Sequence, residues 1–540
     1  MRGKLQFLVS LLLVSLVGFS SCNKEEQASS IQFTATMEDC ADVHGAKTVL
    51  NGTVLQWVAG DEIIIQSGSM AYFTATPLND PTMATFTTTD ANFAVANETY
   101  LAYYPAETCF PWVEAVSISA TQESEDGSLR GFPMHAYSVG STNLQFRNLC
   151  GVLKLNLQKS GVTVTSIALT MDQKINGVYE VDNQSSVEAT LSSRIRYNGG
   201  SKTTTLVCNQ SINTAHDFYI YLPAGTYTGL TLEITTNDGR VCTKGPAPAT
   251  HSVVIERSKY STLTLGGNDL VFRPIGSKGG LFSVSATQQV WFSQGNVQYR
   301  ASTGTWRFAE NQWDFVGTQT PDVDWHYGGT VSGSDNCNIC STYDGWIDLY
   351  GWGTGSNPTL VSYAEDNSAY STFVDWGVNA ISNGGNVANI GWRALTIAEW
   401  NYLFSGRTDA SSKFGIGNIE GLGGMILLPD SWTLPSGCPT FNSGLASSYN
   451  VWTRNTYTLA QWAEMEAAGA VFLPAAGGRF YRVEQSNIVV NDVGVFGSYW
   501  SSTPDDNRNA YYRMFVSLGQ GSYSDERCYG RSVRLVRNEN

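Results

Sequence analysis

Between Trp500 and Arg534 the chain mixes acids, arginines, tyrosines and a cysteine in an order that no packing period requires. They are Asp505, Asp506, Arg508, Tyr512, Arg513, Ser522, Tyr523, Asp525, Arg527, Cys528, Tyr529 and Arg531. Two chemistries would use such a set. A thiol nucleophile at Cys528 needs a base that can meet it, and the five histidines (His44, His135, His216, His251 and His326) stand alone, none within a motif. A binding surface needs less, because tyrosine and arginine supply rigid area, hydrogen bonds and stacking. Elsewhere the chemical signals are thin. Cys337 and Cys340 form a CxxC without the second ligand pair of a zinc site, and read as a loop disulfide or two loop thiols. Asp322–Asp324 and Asp505–Asp506 read as solvated acids, and "GLGG" lacks the Lys-Ser/Thr of a phosphate loop. The expectation is a binding surface with no catalytic residue, metal or cofactor. Tyr499 and Tyr511 are expected in the core, and Arg527, Tyr529 and Arg531 on the surface.

The element that closes this segment is "SVRLV", read as a strand with Val533 and Leu535 facing one way and Arg534 the other. Before it lie two helix candidates. In "TIAEWNYLFSG", Thr396 caps, Glu399 completes a capping box, Ile397, Trp400, Leu403 and Phe404 share a face, and Gly406 ends the helix. In "TLAQWAEMEAAGA", Thr458 begins the helix and Gly469 ends it. Helices among short strands imply an α+β module over 281–540. The Gly-rich stretch 266–280 reads as a linker. From Ile31 to Leu265 the pattern is strand after strand. "GTVLQWVAGDEIIIQ" predicts a hairpin about Gly60–Asp61, and Leu153, Leu155 and Leu157 alternate with Lys154 and Asn156.

Composition bounds the rest. The 540 residues suffice for two to four domains, and 53 glycines with only 15% charged residues fit β-structure with many turns. A net charge of −15 without a basic run argues against nucleic acid. Arg2, Lys4 and the apolar run ending "FSSC" read as a signal peptide over 1–21, with Cys22 as the lipidated first residue; an ordinary secretory signal is the alternative. Residues 22–30 read as a tether, and attachment would be by lipid alone. Nine cysteines follow Cys22, an odd number that leaves at least one thiol unpaired, and Cys528 is the expected one.

The stretches "FTAT", "KTVLNGTVLQWVAGDEI", "YLAYYPA", "FRNLCGVLKLNL" and "YIYLPAGTY" resemble the fimbrillin-like lipoprotein pilins. The resemblance implies two tandem β-sandwiches, 31–145 and 146–265, and subunit contact by strand exchange after proteolytic loss of the first strand. The family's processing site usually carries an arginine, yet none occurs between Arg2 and Arg130; Lys47 stands in its place. Retention of the first strand is therefore expected.

The second half, through "WRFAENQWDFVG", "GWRALTIAEWNYL", "GGMILLPDSW", "VFLPAAGGRF" and "GSYWSST", resembles a formylglycine-generating-enzyme-like form of the C-type lectin fold. Of that family's catalytic cysteine pair, Cys438 and Cys528 are the candidates, and neither has the family's context. Calcium-and-sugar motifs are absent. The segment 498–536 is similar to the variable regions of proteins diversified by retroelements. Asparagine codons randomised at adenine reach all twelve candidate residues but not Met514, Gln520 or Glu526, which fall to the fixed frame. The expected protein is mainly β: two tandem fimbrillin-like sandwiches, then an α+β C-type lectin fold module. It would be a lipid-anchored outer-membrane adhesin at the cell surface, at a pilus tip or standing alone. Its partners would be an unidentified protein or glycan and pilus subunits. A sulfatase-modifying enzyme and an inert structural pilin are the alternatives.

Overall fold

The computed structural model describes residues 31–38, 41–42, 55–110, 114–125, 128–195, 199–267, 270–317, 335–337, 339–362, 366–482 and 487–539. The signal peptide, Cys22, the tether, Cys40, His44, Lys47, Asp322, Asp324 and His326 lie outside them. The chain is mainly β. No helix among the described residues is long and apolar enough to cross a membrane.

Seven strands close the first unit into a ring: Phe33–Met37, Asn143–Asn148, Met134–Val139, Thr99–Tyr104, Glu62–Gln66, Met70–Pro77 and Met83–Thr87, in that spatial order. Alternation drives the closure. In Met70–Pro77 every second side chain is buried, the period of a strand with one wet face. Trp57 centres the core, edge-on to Phe86 at 4.9 Å, Tyr104 at 5.1 Å and Phe146 at 5.4 Å, the geometry that ring quadrupoles favour. Gly60–Asp61 does turn, with Asp61 N donating to Val58 O at 3.0 Å. Among the described residues, however, the expected hairpin is not formed. Trp57 N donates to Pro81 O, and Glu62–Gln66 pairs instead with Met70–Pro77 and Thr99–Tyr104.

The second unit is two facing sheets. One runs Ser128–Leu129, Thr121–Glu125, Thr203–Ile212, Val162–Thr170, Thr231–Thr236, Arg240–Lys244, Arg273–Pro274; the other runs His216–Leu222, Gly151–Gln158, Lys259–Gly266, Ala41–Asp42. Leu153, Leu155 and Leu157 face Ile167, Leu232 and Ile234 in one core, as their alternation predicts. The units are interlaced, because Ala41–Asp42, Thr121–Glu125 and Ser128–Leu129 come from the chain's first third. A sheet of Ala115–Ile118 and Gly177–Asp182 also joins residues from both sides of the expected 145/146 boundary.

His135 is fully buried, edge-on to the Tyr103 ring at 5.1 Å. Burial lowers its pKa to about 4. An unfolded histidine titrates near 6.5, so the unfolded chain binds the proton first. Stability is unaffected above that pH and falls as pH drops from about 6.5 to about 4, by at most about 3 kcal/mol. His135→Phe should flatten this limb of the urea-midpoint-against-pH curve; an unchanged slope would locate the acid sensitivity elsewhere.

The connector 266–280 is not a free linker. Leu270 and Phe272 are 1% and 6% exposed in the second core, and Arg273–Pro274 pairs with Arg240–Lys244. The C-terminal module then begins at Ser277, and its first and last strands share one sheet: Ser277–Ser283 pairs with Gln289–Ser293, which pairs with Val536–Asn538. Both helices start as their caps predict. α1 (Ile397–Asn401) and α2 (Leu459–Ala467) carry reciprocal capping boxes, Thr396 with Glu399 and Thr458 with Gln461. α1 runs on as a π-turn, Tyr402–Gly406. Trp400, Leu403, Trp462 and Met465 are fully buried. The segment "SVRLV" departs from its expected form. Residues 533–535 lie outside the ladder, Val533 O and Leu535 O accept from Val297 N and Ser293 N, and Arg534 is buried with its neighbours. Both faces of this run are covered, so its alternation does not separate core from solvent.

Candidate ligand-binding surface

Three antiparallel strands, Gly497–Pro504, Asn509–Val516 and Gly519–Glu526, carry Tyr512, Arg513, Ser522, Tyr523 and Asp525; the other candidates lie in the turn between the first two strands and in the segment after the third. The register sets Tyr512 opposite both Trp500 and Tyr523, and Arg513 opposite Ser522. The twelve residues divide by burial. Asp505, Asp506, Arg508 and Tyr523 are exposed; Ser522, Asp525 and Tyr529 are half-buried; Tyr512, Arg513, Arg527, Cys528 and Arg531 are buried.

The expected surface position of two arginines is thereby corrected. Arg531 is 1% exposed. Its guanidinium lies 3.4 Å over the Tyr512 ring and 5.2 Å from that of Trp500, and its Nη2 donates to Asp525 Oδ2 at 2.5 Å. Arg527 stacks 4.4 Å over Trp352 and donates to the carbonyls of Tyr370, Asn509 and Asp506. Aromatic faces and carbonyls take the place of water around these weakly hydrated cations. Arg513 is treated likewise: it lies 3.9 Å over Phe404, donates to Ser522 Oγ at 3.1 Å, and burial pulls its pKa down to about 10. Tyr499 is in the core as expected, but Tyr511 is only half-buried. Its pKa is raised by a hydrogen bond to Asp505. The alternation of Ala510, Tyr511 and Tyr512 is the signal that separates the two tyrosines. Tyr529 meets Phe480 edge-on at 5.1 Å.

Cys528 is a free thiol, as are Cys109, Cys208, Cys340 and Cys438. It is buried, and burial with the nearby Glu526 carboxylate pushes its pKa up to about 12. A thiol so raised is a poor nucleophile.

What remains accessible is the Asp505–Asn509 turn and the ridge at Tyr523 and Ser524. The turn is rigid. Asp506 Oδ1 accepts from Arg508 N and Asn509 N, both at 2.7 Å, which holds its pKa below the usual carboxylate value. Arg508 reaches across to Glu526 Oε1 at 2.6 Å. Sequence reasoning missed the supports supplied from outside the segment. Asn367 Oδ1 accepts from Cys528 N at 3.0 Å, Asn401 Oδ1 accepts from Ser522 Oγ at 2.6 Å, and Trp352 floors Arg527. An isolated Asn or Trp carries no sequence signal for such a role.

No family model matches the chain, and no curated protein matches it. Solved structures do. A fimbrial protein from Bacteroides ovatus aligns at 10% identity and TM-score 0.22, covering 94% of this chain and 99% of its own. A candidate cell adhesion protein from Bacteroides uniformis aligns at 16% identity and TM-score 0.29, covering 46% of this chain and 96% of its own. The tip fimbrial protein Mfa3 from Porphyromonas gingivalis aligns at 10% identity and TM-score 0.20, covering 43% of this chain and 94% of its own.

Proposed function

We propose that the chain is a cell-surface adhesin, lipid-anchored at Cys22 and pilus-tip or pilus-associated. In this reading two fimbrillin-like β units carry a C-type-lectin-like module that binds an unidentified protein or glycan through a diversified surface. The sequence stretches given above support the family reading. One observation carries the binding reading: exposed, variable-type residues are concentrated in the Asp505–Asn509 turn and at Tyr523, on a frame whose arginines are buried and paired. Such a frame holds a binding loop without spending affinity on ordering it.

The test is direct. Arg508→Ala with Tyr523→Ala removes two exposed side chains and should leave the melting temperature unchanged. On a glycan array and a panel of extracellular-matrix proteins, any component bound by the native chain should be bound at least about thirtyfold more weakly, the loss of about 2 kcal/mol at a hot spot. Equal binding by both forms would favour the inert structural pilin. Immunogold labelling regularly along a shaft would rule out the tip position. A near-copy of the DNA encoding 500–536, differing only at adenines, is the expected mark of diversification. The enzymatic alternative needs a reactive Cys438 or Cys528. The raised pKa of the latter speaks against it, and peptide-cysteine oxidation abolished in Cys528→Ser would revive it.

A further inference from the structure

The second β unit and the C-terminal module meet at a junction built from both. On one side is the turn between Thr231–Thr236 and Arg240–Lys244; on the other is the last strand, Val536–Asn538. Each side extends an arginine onto the other's backbone. Arg537 Nη1 donates to Gly239 O at 3.2 Å and its Nη2 to Asp238 O. In return, Arg240 Nη2 donates to Asn538 O at 3.1 Å. Both side chains are buried, at 7% exposure for Arg240 and 6% for Arg537. Two buried cations this close need anions, and Asp238 and Glu539 supply them, 3.1 Å and 3.5 Å from Arg240. Trp291 Nε1 fixes the Glu539 carboxylate. The fit is also steric. Gly239 has φ +72°, and a Cβ there would lie 2.2 Å from Ile390 Cδ1 of the module. Ile275 N donates to Gly239 O at 3.0 Å, so the connector is held by the same turn.

The contacts continue inward. Asn538 Oδ1 accepts from Arg393 at 2.8 Å and 3.1 Å, and Arg393 grips Glu399 at 2.7 Å. Glu399 is the capping-box residue of α1, whose Asn401 accepts from Ser522 in the candidate surface.

We propose that the turn Asp238–Arg240 and the strand Val536–Asn538 form a reciprocal interdomain lock, which makes the second β unit and the C-terminal module one rigid body and orders the start of α1. A lock of this kind fixes the direction in which the module's outer surface points. It requires neither a ligand nor the adhesin reading.

Hydrogen exchange and chymotrypsin cleavage of the full chain test it. In Arg240→Ala with Arg537→Ala, exchange over 270–276 and 393–399 should rise about tenfold or more, as expected when hydrogen bonds from charged groups are lost. Cleavage after Phe272 should appear, while exchange over 62–77 in the first unit stays as in the native chain. Gly239→Val, which removes no charge, should act in the same direction by displacing Ile390. Arg300→Ala, which breaks an exposed ion pair with Asp344, should change nothing at the junction. The lock is overturned if both junction variants exchange like the native chain. It is equally overturned if the native chain is already cut at Phe272 as fast as an unfolded peptide, or if exchange over 62–77 rises equally, which would mean global loosening.

Discussion

Arg531→Ala is expected to lower the stability of the C-terminal module by about 3 kcal/mol, the low end for breaking a buried ion pair. The low end applies because Asp525 keeps 34% of its side-chain surface and water can partly solvate it once its partner is gone. Two effects add. Asp525 loses the guanidinium at 2.5 Å, and the Tyr512 and Trp500 rings lose the group that fills the space between them. Arg531→Met separates the two, since it fills most of the volume without the charge and should recover part of the loss. Arg531→Lys should recover less than its charge suggests, because an ammonium cannot stack its plane on Tyr512. The measurement is the denaturant midpoint of the module's transition. A shift below about 1 kcal/mol in Arg531→Ala, the scale of an exposed pair, would return Arg531 to the surface where its sequence context placed it.

Phe33→Ala is expected to destabilise the first unit by about 3–5 kcal/mol, the usual range for a large aromatic removed from a packed core. Phe33 is fully buried and lies edge-on to Phe73 at 5.1 Å and Tyr100 at 4.9 Å. Its strand is bonded on both sides, parallel to Asn143–Asn148 and antiparallel to Met83–Thr87, so its departure would open two unpaired edges. Glu38, directly after the strand, accepts from Asn148 N at 2.9 Å, Arg257 Nη1 at 2.9 Å and Ser258 Oγ at 2.7 Å, tying the strand's end to the second unit. Calorimetry should show the first unit's transition falling while that of the C-terminal module holds. If Phe33→Ala leaves the first transition in place, the strand is dispensable to the fold, and the proposal that this subunit keeps it loses its physical basis.

Local chemistry was legible in the sequence. The Thr396–Glu399 capping box, the start of α2 at Thr458, the apolar face of α1, the Leu153–Leu157 alternation and the core position of Tyr499 each depend on residues within a few positions of one another. Period and cap chemistry act over that range. The candidate segment was legible as a place but not as a surface. Asp525, six positions before Arg531, is within its local reach, yet Arg527 and Arg531 look like solvent residues because the rings that enclose them are not near them in the chain. Their companions are distant: Trp352 and Tyr370 for Arg527, Phe480 and Trp500 for Arg531.

By itself, then, the sequence determined the β-rich class, the two helices and their caps, and which stretch holds the odd mixture of acid, arginine and tyrosine. These follow from side-chain period and from hydrogen bonds closed within one turn. Only the tertiary structure decided that Ala41–Asp42, Thr121–Glu125 and Ser128–Leu129 would cross into the second unit, that the connector would be held by Gly239, and which arginines would be enclosed. Strand exchange is a choice among distant edges of equal local propensity. Burial of an arginine depends on rings and carbonyls that only folding brings to it. The outcome leaves Asp505, Asp506, Arg508 and Tyr523 facing solvent on a frame that encloses Arg513, Arg527 and Arg531 beneath them.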